Sequence, residues 1–439
     1  MTLLGVSEGY QTAFLELNNK RPAETRWLHD LRERALKRFD TLGFPTAIRG
    51  NERWKYTNIG PIAKAGFEHS FETYDIHPDE LRTIAPWDES WISLVFVNGR
   101  YSVELSKGLE HSGKAHISNI GDGLKQDSGL LREHLGSVAE FEDDAFVALN
   151  TALMHDGAFI YLPKDVVLES PVHVTFVTTE SGRPTAAYPR VLIVQEPGSK
   201  LTLLESYLST AAHSYFTNAV VEVSLAEGAS LQHYRLLRES SSAYHIGVTR
   251  VVQREGSTFQ STSLASGAAI ARNEVQVLLD GPDAVCDLKG LYLTSGTEHI
   301  DNHIDIDHAT PKTTSHQFYK GILSGKSHAV FSGRVLVRRD SQKSVATQSD
   351  KNLILSEGAE IDTKPSLEIY ADDVSCTHGA TAGAISDEAL YYMRSRGLDE
   401  DTAMHYLILG FANEIADDIT LEPLKRHVES MTANAVPGE

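Results

Sequence analysis

Cysteine is the residue this chain has least of: 439 residues carry two, Cys286 and Cys376, ninety positions apart. That scarcity rules out a disulfide framework, and it rules out any four-thiolate zinc or iron–sulfur centre built by the chain alone. Long apolar runs are missing as well, so no helical membrane span is expected. MTLLGVSEGYQTAFLEL lacks the basic start and apolar core of a secretion signal, which points to the cytosol. Dense clusters of Lys or Arg are also absent, and the net charge is −20. Such a field repels phosphate backbones, so nucleic acid is excluded as a partner. Catalytic signatures are missing too: there is no G-x-S-x-G elbow and no H-E-x-x-H. GILSGKS, from Gly321 to Ser327, is one residue too short for a phosphate-binding loop, and alternating HAVFSGRVLV follows it where a helix should begin.

What is present is a 41% hydrophobic, 23% charged chain long enough for two or three domains. RWLHDLRERALKRFDTLGFP places Trp27, Leu28, Leu31, Ala35, Leu36 and Phe39 on one helical stripe, ended by Gly43 and Pro45. WISLVFVNGRYSVEL reads as a hairpin turning at Asn98-Gly99, and DDAFVALNTALMHDG reads as a helix ending near Gly157. From Phe159 to about Tyr370 the pattern is strand after strand. A short phrase punctuates it: EPGSKL at 196, AEGASL at 226, REGSTF at 254, DGPDAV at 280 and SEGAEI at 356. The first four recur at intervals of 30, 28 and 26 residues, a period typical of stacked repeats. A β-sandwich turns more often and without a repeated phrase, so a parallel β-helix is the expected core.

The exposed ends of such a stack require caps. SDEALYYMRSRGLDEDTAMHYLILGFANEI supplies a helix from Asp387 to Arg396 and a second whose stripe is Met404, Leu407, Ile408, Phe411 and Ile415. The expected organisation is a mainly helical segment 1–157, a β-helix 158–383 and a helical segment 384–439.

Two clusters of candidate ligands stand out. In DDVSCTHGATAG, Cys376 and His378 are two residues apart in extended backbone, so both leave the strand on one face and can reach a common point. Two ligands do not close a metal shell, and a buried Cys beside an ordinary imidazole has the same spacing. In HIDIDHATPKTTSHQFYKG, His303, Asp305 and Asp307 share a face; a divalent metal or a plain polar ladder would each account for them.

The stretch KGILSGKSHAVFSGRVLVRRDSQKSVATQSDKNLILSEGAEIDTKPSLEIYADDVSCTHGATAGAISDEALYYMRSRG resembles the SufB/SufD family of iron–sulfur cluster assembly scaffold subunits. The likeness extends from GFPTAIRGNERWKYT to YYMRSRGLDEDTAMHYLILGF. It implies a right-handed parallel β-helix flanked by helical domains, with no ATP site of its own. It also implies partnership with SufB and the ATPase SufC, supplied by a sulfur donor such as a cysteine desulfurase system. By the same resemblance, Cys376 and His378 match the family's Cys-x-His motif and would hold a transient iron–sulfur cluster shared with SufB. SufB-like chains carry a cysteine shortly before a Pro-x-[IL]-Glu stretch; here Ala359 takes that place before Pro365-Ser366-Leu367-Glu368, so the resemblance is to the SufD branch. Two other classes stay open at this point. One is a β-helix polysaccharide lyase or esterase, for which only the His303 cluster could serve; the other is a purely structural partner of SufB.

Overall fold

The computed structural model describes residues 4–19, 25–47, 51–69, 76–180 and 182–433. Residues 48–50 of the GFPTAIRGNERWKYT segment lie outside them. Between Gly157 and Gly383 consecutive long strands alternate between two sheets, and each pairs in parallel with the strand one coil earlier and one coil later. The result is a parallel β-solenoid. One sheet ends on Val345–Ile354 and then Ser375–Gly383; the other ends on His328–Val337 and then Glu360–Ile369. The N-terminal segment joins the stack, because strand Ile92–Val97 pairs in parallel with Val172–Thr178 and forms an antiparallel hairpin with Arg100–Tyr101. Asn98 and Gly99 both have positive φ, 49° and 79°, as the tight hairpin turn requires.

Register places one residue type above another. The inward file Leu203, His233, Ser261, Leu288, Gln317, Gln348 and His378 runs up the first sheet, one residue per coil. Most of the interior is aliphatic, with Val221, Val223, Val275, Val277, Ile304 and Val335 buried. Burial of this kind contributes roughly 25 cal/mol per Å² of apolar surface and drives the stack to close.

The glycine phrase has a geometric cause. At one corner of each coil up to the strand Val345–Ile354 a residue adopts the left-handed conformation: Asp165, Gly198, Gly228, Gly256, Asp283, Lys312 and Lys343, with φ between 59° and 72°. Turn-to-turn hydrogen bonds stack this corner, as in Gly198 N to Glu227 O and Gly228 N to Glu255 O, both 2.9 Å. The four non-glycine residues in the column each carry a steric cost of about 1 kcal/mol. SEGAEI, grouped with the phrase in the sequence, lies at the opposite corner, between Val345–Ile354 and Glu360–Ile369. GILSGKS is also a coil corner: Gly325 has φ 70° between two strands, so the backbone needed to cradle a phosphate is bent into a solenoid turn.

Helices cover the outer faces. Ala145–Leu153 packs on the second sheet, with Phe146 against Phe216, and Arg26–Leu42 packs over that helix, adding Leu28, Ala35 and Phe39 to the same buried cluster. The former helix stops at Leu153, short of Gly157, because Gly157 opens the next strand; a Cβ there would collide with Arg190 O. The ERWKYT residues lie against the same sheet. Arg53 pairs with Glu274, Trp54 lies under the Arg272 guanidinium at 4.1 Å, and Thr57 donates to Asp301 Oδ2 at 2.5 Å. Helices Glu400–Ala416 and Glu422–Ala433 cover the first sheet, burying Ile408, Ile415, Leu424 and Val428 on Leu204, Leu236 and Leu264. Of the stripe read from the sequence, Ile408 and Ile415 are buried while Met404, Leu407 and Phe411 are half-buried.

Candidate site at the open end of the solenoid

Among the described residues, the last strand, Ser375–Gly383, has a neighbour on one side only. It pairs with Val345–Ile354 so that Cys376 stands above Ala346, His378 above Gln348, Ala380 above Asp350 and Ala382 above Asn352. Ala346, Gln348, Asp350 and Asn352 are buried and point into the solenoid. Parallel neighbours share a face, so Cys376 and His378 both look into the lumen at its uncovered end. Cys376 is half-buried against Ala346, Val335 and Val337, whereas His378 is exposed. Burial holds the Cys376 thiol above its ordinary pKa despite the backbone hydrogen bond from Ala346. Cys286 lies on the same inward file as Cys376, in the order Cys286, Ser315, Ala346, Cys376. It is wholly buried, and burial pushes its thiol far above the usual range, which makes it inert.

Among the described residues, no three His, Cys, Asp or Glu side chains converge to hold a metal ion. Cys376 and His378 thus have no third side chain of these types converging with them among the described residues. The second cluster behaves differently. His303, Asp305 and Asp307 do share an outward face, beside a groove of about 270 Å³ that includes Arg250 and Gln276. Asp305, however, is held by Arg334 at 2.9 and 3.0 Å, and Asp307 by Arg338 at 2.7 and 2.9 Å. Burial pushes the His303 imidazole down to about 4. This is a polar ladder in which each carboxylate meets the arginine one coil on, leaving none to bind calcium or activate a sugar ring.

Beneath the open end lie groups that the motif reading missed. Gln348 Nε2 donates to Gln317 Oε1 at 2.9 Å. One step along, Asp350 Oδ1 is 3.1 Å from the Tyr292 hydroxyl and Asp350 Oδ2 accepts from Asn352 Nδ2 at 2.7 Å. Gly290 and Gly321 make room for this layer, since a Cβ would collide with Tyr319 at the first and with Tyr292 at the second. The signal was available in ATQSDKN: Gln348, Asp350 and Asn352 have the parity of Ala346, an interior position. Polar residues at interior parity in a solenoid strand mark a buried network.

Asp350 is fully buried and its side-chain partners are uncharged, so burial pushes its carboxyl up to about 6. The folded-state pKa is raised above the ordinary 3.8. Protonation therefore favours the fold as pH falls from 6 towards 4, and above 6 the charge costs up to about 3 kcal/mol. Asp350→Asn is expected to raise unfolding stability by roughly 1–3 kcal/mol at pH 7.5 and by almost nothing at pH 4. Urea unfolding at the two pH values checks this; a variant less stable at pH 7.5 would show that the ionised carboxylate supports the fold.

The fold is a helix-covered parallel β-solenoid whose last strand carries Cys376 and His378 on its lumen-facing side. Residues 176–411 match the family model described as SUF system FeS cluster assembly, SufBD core domain, and residues 8–174 match the SufBD protein N-terminal region. The chain belongs to the SufBD family of iron–sulfur cluster assembly proteins. Among its relatives is an iron–sulfur cluster assembly SufBD family protein of Synechocystis, 32% identical over 384 residues, covering 85% of this chain and 84% of the relative. The iron–sulfur cluster assembly protein SufD of Escherichia coli is 30% identical over 400 residues, 90% of each chain. SufD of Bacillus subtilis is 27% identical over 448 residues, 99% of each.

Proposed function

We propose that this chain is the SufD-type subunit of an iron–sulfur assembly scaffold, pairing with SufB and with the ATPase SufC in the cytosol. In this reading the scaffold performs no catalysis of its own. Residues 1–157, 158–383 and 384–439 act as its three units. The observation that supports it best is the coincidence of two features at one place. Strands Glu360–Ile369 and Ser375–Gly383 terminate their sheets with unpaired backbone, and the second carries Cys376 and His378 facing the lumen. Unpaired edges invite another chain. Pro365, which has no N–H to offer, is tolerated in such an end strand. A SufB strand added here would satisfy the backbone and bring further ligands alongside the pair. Iron and sulfide, delivered by a cysteine desulfurase system, are the cargo; a half-shell on each subunit holds a nascent cluster weakly enough to pass on.

The test is iron and sulfide reconstitution of the chain alone, of SufB alone and of the assembled complex. The expected result is stable cluster absorbance only in the complex. Full loading of SufB alone, unchanged by this chain, would reduce it to a structural partner.

A further inference from the structure

We propose that Gln348 is the positioning residue for His378, accepting the hydrogen of one imidazole nitrogen so that the other is presented to iron; this rests on the reading of His378 as a ligand. The inward file of the first sheet ends in Gln317, Gln348 and His378, one above the other. Gln348 is 3% exposed, and its Nε2 is committed downwards to Gln317 Oε1. Its Oε1 is buried and has no hydrogen-bond partner. A buried amide oxygen without a donor is costly, and the next side chain along the file, one strand spacing of about 4.8 Å away, is the His378 imidazole. Among the described residues His378 makes no hydrogen bond. Across the lumen the fold makes space for the arrangement: a Cβ on Gly333 would collide with Gln348 Nε2. Asp350, the other acceptor nearby, is already engaged by Tyr292 and Asn352.

The chemistry follows from the tautomers of imidazole. A neutral ring has one N–H and one lone-pair nitrogen, and the group that accepts from the first decides which nitrogen is free to bind metal. Ligating histidines commonly donate their second nitrogen to a carbonyl or carboxylate, and removing that acceptor lowers metal affinity about 10- to 100-fold. Gln348 Oε1 is such a carbonyl, held in place by Gln317.

The experiment reads both nitrogen and iron. In the full chain labelled with ¹⁵N-histidine, the His378 ring is expected to show one dominant tautomer in the wild type and in Gln348→Glu, and a free-imidazole mixture in Gln348→Met. In the complex with SufB, Gln348→Met is expected to weaken iron(II) binding about tenfold or more, with Gln348→Glu restoring it. A wild-type tautomer mixture that Gln348→Met leaves unchanged overturns the proposal. So does a Gln348→Met variant whose only change is its unfolding midpoint, since that is the mark of a packing role. Failure of the ligand reading looks different: His378→Ala would then bind iron like the wild type, whatever the tautomer.

Discussion

His378→Ala is expected to lower iron loading of the assembled scaffold by roughly tenfold or more while leaving the fold unchanged. The side chain is exposed at the open end of the solenoid, so its removal costs the apoprotein little stability. In the proposed reading its main contribution is the bond it offers to metal at the open end of the solenoid. Cys376→Ala is expected to do less, because its thiol is half-buried against Ala346, Val335 and Val337 and burial raises its pKa further above neutral. A protonated thiol must lose its proton before it ligates, which weakens it as a competitor of a partner's thiolate. Iron-to-protein ratio after reconstitution decides the matter, with circular dichroism as the control. Wild-type loading of the His378→Ala complex would remove the imidazole from the shell.

The solenoid was legible because its two governing patterns are local. Alternation along each strand names the face, and the left-handed corner asks for glycine often enough to leave a phrase at 196, 226 and 254. At 280 the phrase is present but the left-handed residue is Asp283 rather than its glycine, and the phrase is lost where the same corner is occupied by Lys312 and Lys343. It also misled at 356, since a coil has two corners and small turn residues serve both. That Cys376 and His378 share a face was visible from their i, i+2 spacing, but the direction of that face was not. Whether Cys376 and His378 face lumen or solvent depends on the register with Val345–Ile354, and a slip of one residue would have reversed it. The Gln317, Gln348 and His378 file unites residues 31 and 30 positions apart, a relation that appears only once the coil length at that level is known. Asp305 and Asp307 looked like ligands for the same reason: their arginine partners, Arg334 and Arg338, lie one coil on.

Tyr391→Ala combined with Tyr392→Ala is expected to weaken binding of the proposed ATPase partner about 100-fold or more without changing the fold. The two tyrosines are 76% and 58% exposed on helix Asp387–Ser395, a helix with no buried residue, closed at its start by Ser386 accepting from Ala389 N. In the proposed pairing with an ATPase this exposed tyrosine face is the docking surface, and tyrosines that act as interface hot spots cost about 2 kcal/mol or more when truncated. Truncating the chain before these helices would not be a clean test. Helices Glu400–Ala416 and Glu422–Ala433 cover Leu204, Leu236 and Leu264. Buried Lys320 is tied to them, its Nζ donating to Phe411 O at 2.7 Å and pairing with Glu414 at 2.8 Å. Deleting residues 386–439 would strip that face and leave Lys320 without its partners, so lost binding would report only a damaged solenoid. The double tyrosine variant leaves the covered face intact, and Tyr406, 54% exposed on the next helix, offers an independent third position. Retained affinity in the double variant, measured by calorimetry on the folded protein, would move the docking surface to the solenoid wall or to the N-terminal helices.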